Sequence, residues 1–98
     1  MAVSDADIAF AMDLFAQVGP LTMRKMFGGI CIYQDGTVFS LVSGEGRIYL
    51  KCKGSLAEQL ANDGGKQFHN MPYWGLPEAV LDDPIQACDL ARQALRDL

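Results

Sequence analysis

Few residues in this chain are of a type that does chemistry. There are three cysteines (Cys31, Cys52, Cys88), one histidine (His69), a Gly28-Gly29 step behind Arg24-Lys25, and an acidic pair Asp82-Asp83. A thiol nucleophile needs a base beside it, and His69 is the only imidazole, so any Cys-His pair has to use it. No spacing in the sequence brings His69 to Cys31 or Cys52. No two cysteines have the two-residue gap of a zinc or redox motif, and an odd count reads as buried thiols in a reducing compartment. His69 has no second histidine to share a metal. A phosphate loop needs more glycine and a terminal Lys-Ser or Lys-Thr, and a dinucleotide fingerprint runs from a strand into a helix. Gly28-Gly29 runs from strand to strand, so it reads as a bulge or a close backbone approach. Asp82-Asp83 before Pro84 reads as a helix cap. No catalytic, metal or cofactor site is expected.

The elements that position these residues follow from periodicity. Ser4 is a helix cap, with Ile8, Met12, Phe15 and Val18 recurring near the helical period until Gly19-Pro20. Thr22 to Phe27 reads as a short strand. Asp35-Gly36 is a two-residue hairpin turn that pairs Gln34 with Thr37, Ile32 with Phe39 and Ile30 with Leu41. A four-residue loop over 43–46 then pairs Val42 with Arg47, Leu41 with Ile48 and Phe39 with Leu50. One face thus collects Ile30, Ile32, Phe39, Leu41, Ile48, Leu50 and Cys52. The other collects Cys31, Tyr33, Val38, Ser40, Val42, Arg47, Tyr49, Lys51 and Lys53, a semi-apolar surface bordered by cations. Ser55 and Glu58 form a capping box for a short helix. The segment 66–75 reads as one or two strands. Pro84 opens a last helix whose stripe is Ile85, Cys88, Ala91, Leu95 and Leu98. The direct reading is α-β-β-β-β-α-β(β)-α in one domain.

The 98 residues carry a net charge of -4, which disfavours nucleic-acid binding by the overall field. The charge is uneven. Residues 21–76 hold six basic and four acidic side chains, and the flanks hold eight acids and two bases. No signal peptide and no membrane-length apolar run is visible, so a cytoplasmic location is expected. A surface of tyrosines and cations serves either a protein interface or the stacking of unpaired bases. Arg24, Lys25, Tyr33, Arg47, Tyr49 and Lys51 are the candidate partner surface.

The run from Met23 to Lys51, "MRKMFGGICIYQDGTVFSLVSGEGRIYLK", followed by "MPYWGLPEAVLDD" and an alanine-rich final helix, resembles the TfoX/Sxy N-terminal domain family. Met26-Phe27-Gly28-Gly29, Tyr33, Asp35-Gly36, Phe39, Ile48 to Lys51, Met71, Tyr73, Pro77 and Asp82-Asp83 carry the likeness over nearly the whole of 1–98. Cys31 stands where the family more often has a glycine, and Cys88 near a frequent tryptophan. The resemblance implies an α+β fold, α-β(3)-α-β(2)-α, similar to type III secretion chaperones. It has a single antiparallel sheet, with the early strands reduced to three. It also implies a non-enzymatic regulator related to natural competence and transcription, a homodimer, and a transcription regulator as a further partner. Full-length relatives carry a second, C-terminal domain that resembles nucleic-acid-binding helical hairpins. The alternatives from the residues are a nucleic-acid-binding module on the tyrosine and basic face, and a small enzyme or small-molecule sensor using His69 and a cysteine.

Overall fold

The computed structural model describes residues 2–26 and 28–97. Helix α1 (Asp5–Leu14) and a 3-10 turn (Ala16–Val18) lead into β1 (Leu21–Met26), β2 (Gly29–Gln34), β3 (Thr37–Val42) and β4 (Ile48–Lys51). Then follow α2 (Gly54–Asn62), β5 (Tyr73–Gly75), the single-turn α3 (Glu78–Leu81) and α4 (Pro84–Arg96). The five strands form one antiparallel sheet in the order β1-β2-β3-β4-β5. This is the expected α+β class, with four strands before α2 and one after it, as the direct reading of the sequence has it and where the family resemblance implied three and two. The cause is local. Gly28 has φ 76°, and Met26 pairs directly with Gly29, so the chain reverses there and residues 21–26 form a strand of their own. Phe27 lies outside the described residues. After α2 the neighbour of β5 is reduced to a single Gln67↔Trp74 bridge.

The caps follow the sequence at two helices. The Ser4 hydroxyl accepts from the Asp7 N–H at 3.1 Å, and the Asp83 carboxylate accepts from the Gln86 N–H at 3.1 Å ahead of Pro84. The Ser55 capping box does not form. Lys53 is the N-cap, and Gly54, at φ 63°, turns the chain into α2 one residue early.

The predicted hairpin registers are correct at the first turn and shift beyond it. Asp35 (φ 51°) and Gly36 (φ 79°) close Gln34↔Thr37 and Tyr33↔Val38. The next pair is Ile32↔Ser40, so Phe39 is an extra, bulged residue. Ile30 consequently faces Val42, not Leu41. In the next loop the Gly46 N–H donates to the Ser43 carbonyl and the Ser43 N–H to the Arg47 carbonyl, both at 2.9 Å. Val42 therefore pairs with Ile48 rather than Arg47. The two one-residue shifts cancel across β3. Ile30, Ile32, Ile48, Leu50 and Cys52 keep their predicted core face. Only the end of β3 exchanges sides, with Val42 entering the core and Leu41 leaving it. Classical bulge geometry turns two consecutive side chains the same way, and Ser40 lies fully buried beside Phe39. Its hydroxyl donates to the Tyr49 carbonyl at 2.7 Å, which removes the cost of burying it.

The helices pack on that one face. Phe15 meets Phe39 edge to face at 5.3 Å, and the Cys88 thiol donates to the Leu14 carbonyl at 3.3 Å. On α4 the buried stripe is Ala87, Cys88, Leu90, Ala91 and Ala94. Ile85, expected inside, is 68% exposed, because at 100° per residue it lies nearly opposite the stripe centred on Ala87, Ala91 and Ala94. Leu98 lies outside the described residues. Gly29 is the close approach read from the sequence: a Cβ there would fall on the Val42 carbonyl. At Gly36 there is open space, and only the positive φ resists a side chain.

Gly29→Ala is therefore expected to destabilise by about 2 kcal/mol or more, since backbone must move. Gly36→Ala is expected to cost about 1 kcal/mol, the left-handed penalty alone. Urea denaturation of both variants checks the order, and equal losses would refute the close-approach account.

Candidate functional site: the uncovered sheet face

Alternation along each strand sends Arg24, Met26, Cys31, Tyr33, Val38, Leu41, Tyr49, Lys51 and Tyr73 to the side away from the helices. Cys31, Leu41 and Tyr73 are buried there, under a half-buried layer of Tyr33, Val38, Tyr49, Phe68 and Met71. Phe68 reaches this face because the chain after α2 doubles back along β5. The Gly75 N–H donates to the Lys66 carbonyl at 3.0 Å and the Phe68 N–H to the Tyr73 carbonyl at 2.9 Å. The Tyr49 and Phe68 rings then meet edge to face at 5.2 Å. None of the described helices covers this layer, so the sheet is packed on one side and carries its own thin aromatic cluster on the other.

Of the six candidate residues, Arg24, Tyr33, Tyr49 and Lys51 share this face. Lys25 alternates to the helix side of β1. Arg47 lies at the entrance of β4 and lines a cleft of about 680 Å³ with Phe10, Lys66, Leu76 and Leu81, which reaches the open face only at Tyr49. Lys53, which the predicted register placed on this face, leaves the sheet to cap α2. Phe68 was present in the sequence as an apolar residue, but only the reversal after α2 shows that it joins Tyr49. None of the five strands contains a carboxylate, although three cations, Arg24, Lys25 and Lys51, lie on them.

The titrating groups under the layer are held neutral. The Cys31 thiol donates to the Met26 sulfur at 3.7 Å. Burial pushes its pKa up, against a smaller pull downward from the Tyr73 hydroxyl and the Lys51 charge. Burial raises Tyr73 from 10.0 to about 12, with the neighbouring Cys31 adding to the rise. Cys52, in the helix-side core, goes from 9.0 to about 11 by burial, with the Asp97 charge adding. A thiol in this state is a poor nucleophile at neutral pH. His69 is exposed on the turn after Phe68, its ring 4.5 Å from the Phe68 ring. Among the described residues no group of three His, Cys, Asp or Glu stands together as a metal site. No described helix is long and apolar enough to cross a membrane.

The profile of a protein family described as TfoX N-terminal domain matches residues 13–98. Comparison with curated proteins gives no match.

The raised pKa values of Cys31, Cys52 and Tyr73 fix the sign of an alkaline stability change. The folded state keeps protons that the unfolded state releases, so stability is full below about pH 9 and falls as pH rises through the folded values. Melting temperature is expected to be level up to about pH 9 and to drop between pH 9 and 12. A Cys52→Ala variant is expected to drop less over that window. In the same native protein all three buried thiols should react with an aromatic disulfide reagent only as fast as the chain opens; one fast thiol would contradict their burial.

Proposed function

The chain belongs to the TfoX N-terminal domain family, and we propose that it is a non-enzymatic regulatory module that acts by binding proteins, beginning with a second copy of itself. The observation that carries this reading is the uncovered sheet face. A half-buried layer of Tyr33, Val38, Tyr49, Phe68 and Met71 with Arg24 and Lys51 among it has the make-up of an interface, where tyrosine, methionine and arginine are enriched. A contiguous apolar surface of this kind on a small chain is a site of association. The neutral thiols and the exposed His69 give no support to a nucleophilic centre. The family is associated with the regulation of natural competence, and a component of transcription control is the further partner proposed.

A second reading has one observation in its favour. Tyr33, Tyr49, Arg24 and Lys51 lie on one sheet face, as in platforms that stack unpaired bases. The chain's net charge of -4 works against it.

Sedimentation equilibrium is expected to show a concentration-dependent mass approaching the dimer. Tyr49→Asp should weaken association about tenfold or more with the far-ultraviolet circular dichroism unchanged. A strict monomer at every concentration removes the homodimer. Salt-sensitive binding of a single-stranded oligonucleotide that is lost in Tyr49→Ala would put the second reading in its place.

A further inference from the structure

We propose that β1 is a docking edge for an extended acidic segment of a partner protein, which adds to the sheet as a further strand. The inference rests on the protein-binding reading above and names a partner chemistry at the edge that adjoins the open face.

Strand β1 pairs only with β2, and Thr22 to Met26 are all exposed. The strand is six residues long and carries no proline and no bulge; of the devices that blunt an edge it has only the cations Arg24 and Lys25, which oppose pairing with a like-charged strand and not with an acidic one. The opposite end of the sheet is finished by β5 and one bridge. Which backbone groups of β1 face outward follows from the turns. A two-residue hairpin connection is flanked by a pair that exchanges both hydrogen bonds, and such pairs alternate along the ladder. Met26↔Gly29 is therefore bonded, as are Arg24↔Cys31 and Thr22↔Tyr33. Leu21, Met23 and Lys25 turn their N–H and C=O groups out. The β2–β3 hairpin gives the same parity independently, since Gln34↔Thr37 commits Gln34 to β3 and leaves Leu21↔Gln34 unbonded. Among the described residues the backbone groups of Leu21 to Met26 have no partner beyond β2.

The side chains of the edge define what fits it. Arg24 and Lys25 are consecutive, so they stand on opposite faces, and among the described residues neither is in an ion pair. Met23 (36% exposed) shares a face with Lys25, and Met26 (38% exposed) shares one with Arg24. A strand laid against β1 places each side chain on the face of the residue opposite. Its complementary sequence is apolar-acidic-acidic-apolar, set against Met23, Arg24, Lys25 and Met26. That order is the same in both directions, so the match does not depend on a parallel or antiparallel approach. A second copy of β1 fits less well, because self-pairing gathers four cations with no carboxylate from any strand to offset them. The mode is strand addition, with backbone bonds supplying adhesion and alternate side chains supplying selectivity.

The test uses the intact chain and a short fluorescein-labelled peptide with Val-Glu-Glu-Val at its centre. Saturable binding is expected. It should weaken about tenfold in the Arg24→Glu, Lys25→Glu double variant, the loss of two exposed ion pairs and their reversal. Met23→Pro removes an outward N–H together with the half-exposed Met23 side chain, a change an edge strand tolerates, and should abolish binding, where Met23→Ala only weakens it, while the melting temperature stays close to that of the parent. Amide exchange should show new protection at Leu21, Met23 and Lys25. Equal affinity for a Val-Gln-Gln-Val peptide overturns the charge argument, and binding that survives Met23→Pro overturns the edge. Shifts confined to Tyr33, Tyr49 and Phe68 overturn the edge while leaving the face reading intact. A peptide-free dimer that Met23→Pro dissociates makes the occupant a second copy and overturns the proposal.

Discussion

The sheet depends on how its central strand, β3, is held between two neighbours that each impose a register. The Asp35-Gly36 turn fixes one side and the 43–47 loop fixes the other. A strand with period two cannot absorb a one-residue change without reversing its faces. The bulge at Phe39 absorbs it. It lets β2 and β4 present Ile30, Ile32, Ile48 and Leu50 to the same side, where α1, α2 and α4 lie. The buried Ser40 hydroxyl, bonded to the Tyr49 carbonyl, secures the bulge against the adjacent strand.

From that register follows the division of the molecule into unlike sides. The helix side is a conventional core, with the Phe15 and Phe39 rings at its centre. The other side is a single layer of aromatic and sulfur-containing side chains, half open to solvent. Charge is divided as well. Every acid of the described chain lies on a helix, turn or loop, and the strands carry only cations. A net acidic protein thus presents a sheet whose face and free edge are locally basic. Protein recognition suits such a surface, because the apolar layer supplies contact area and the cations supply direction.

The chemistry of the cysteines is settled by the same packing. Cys31 lies under the tyrosines, Cys52 in the helix-side core, and Cys88 between α4 and the end of α1. Each thiol is buried, and for Cys31 and Cys52 burial raises the pKa. A residue type that often signals catalysis here acts as a small, polarizable filler.

The sequence by itself determined the Asp35-Gly36 turn, the two side-chain-capped helices, the core faces of β2 and β4, and the family. These are local properties: Asp35-Gly36 adopts its conformation whatever lies around it, and Ser4 and Asp83 bond to backbone three residues away. The strand β1 and the close approach at the Gly28-Gly29 step were legible, but not the hairpin reversal that pairs β1 with β2 and leaves it at the sheet edge. The lone Ser40 in an apolar run was the trace of the bulge, and nothing local distinguished it from a tolerated polar residue. Only the tertiary structure decided that Leu41 and Val42 exchange sides, that Ile85 is outside, that Phe68 joins Tyr49, and that Arg47 and Lys25 leave the face that holds Arg24 and Lys51. The strand outcomes among these depend on a register or reversal set by residues far along the chain, about which a side-chain period read within one strand carries no information, and Ile85 depends on which side of α4 meets the rest of the fold.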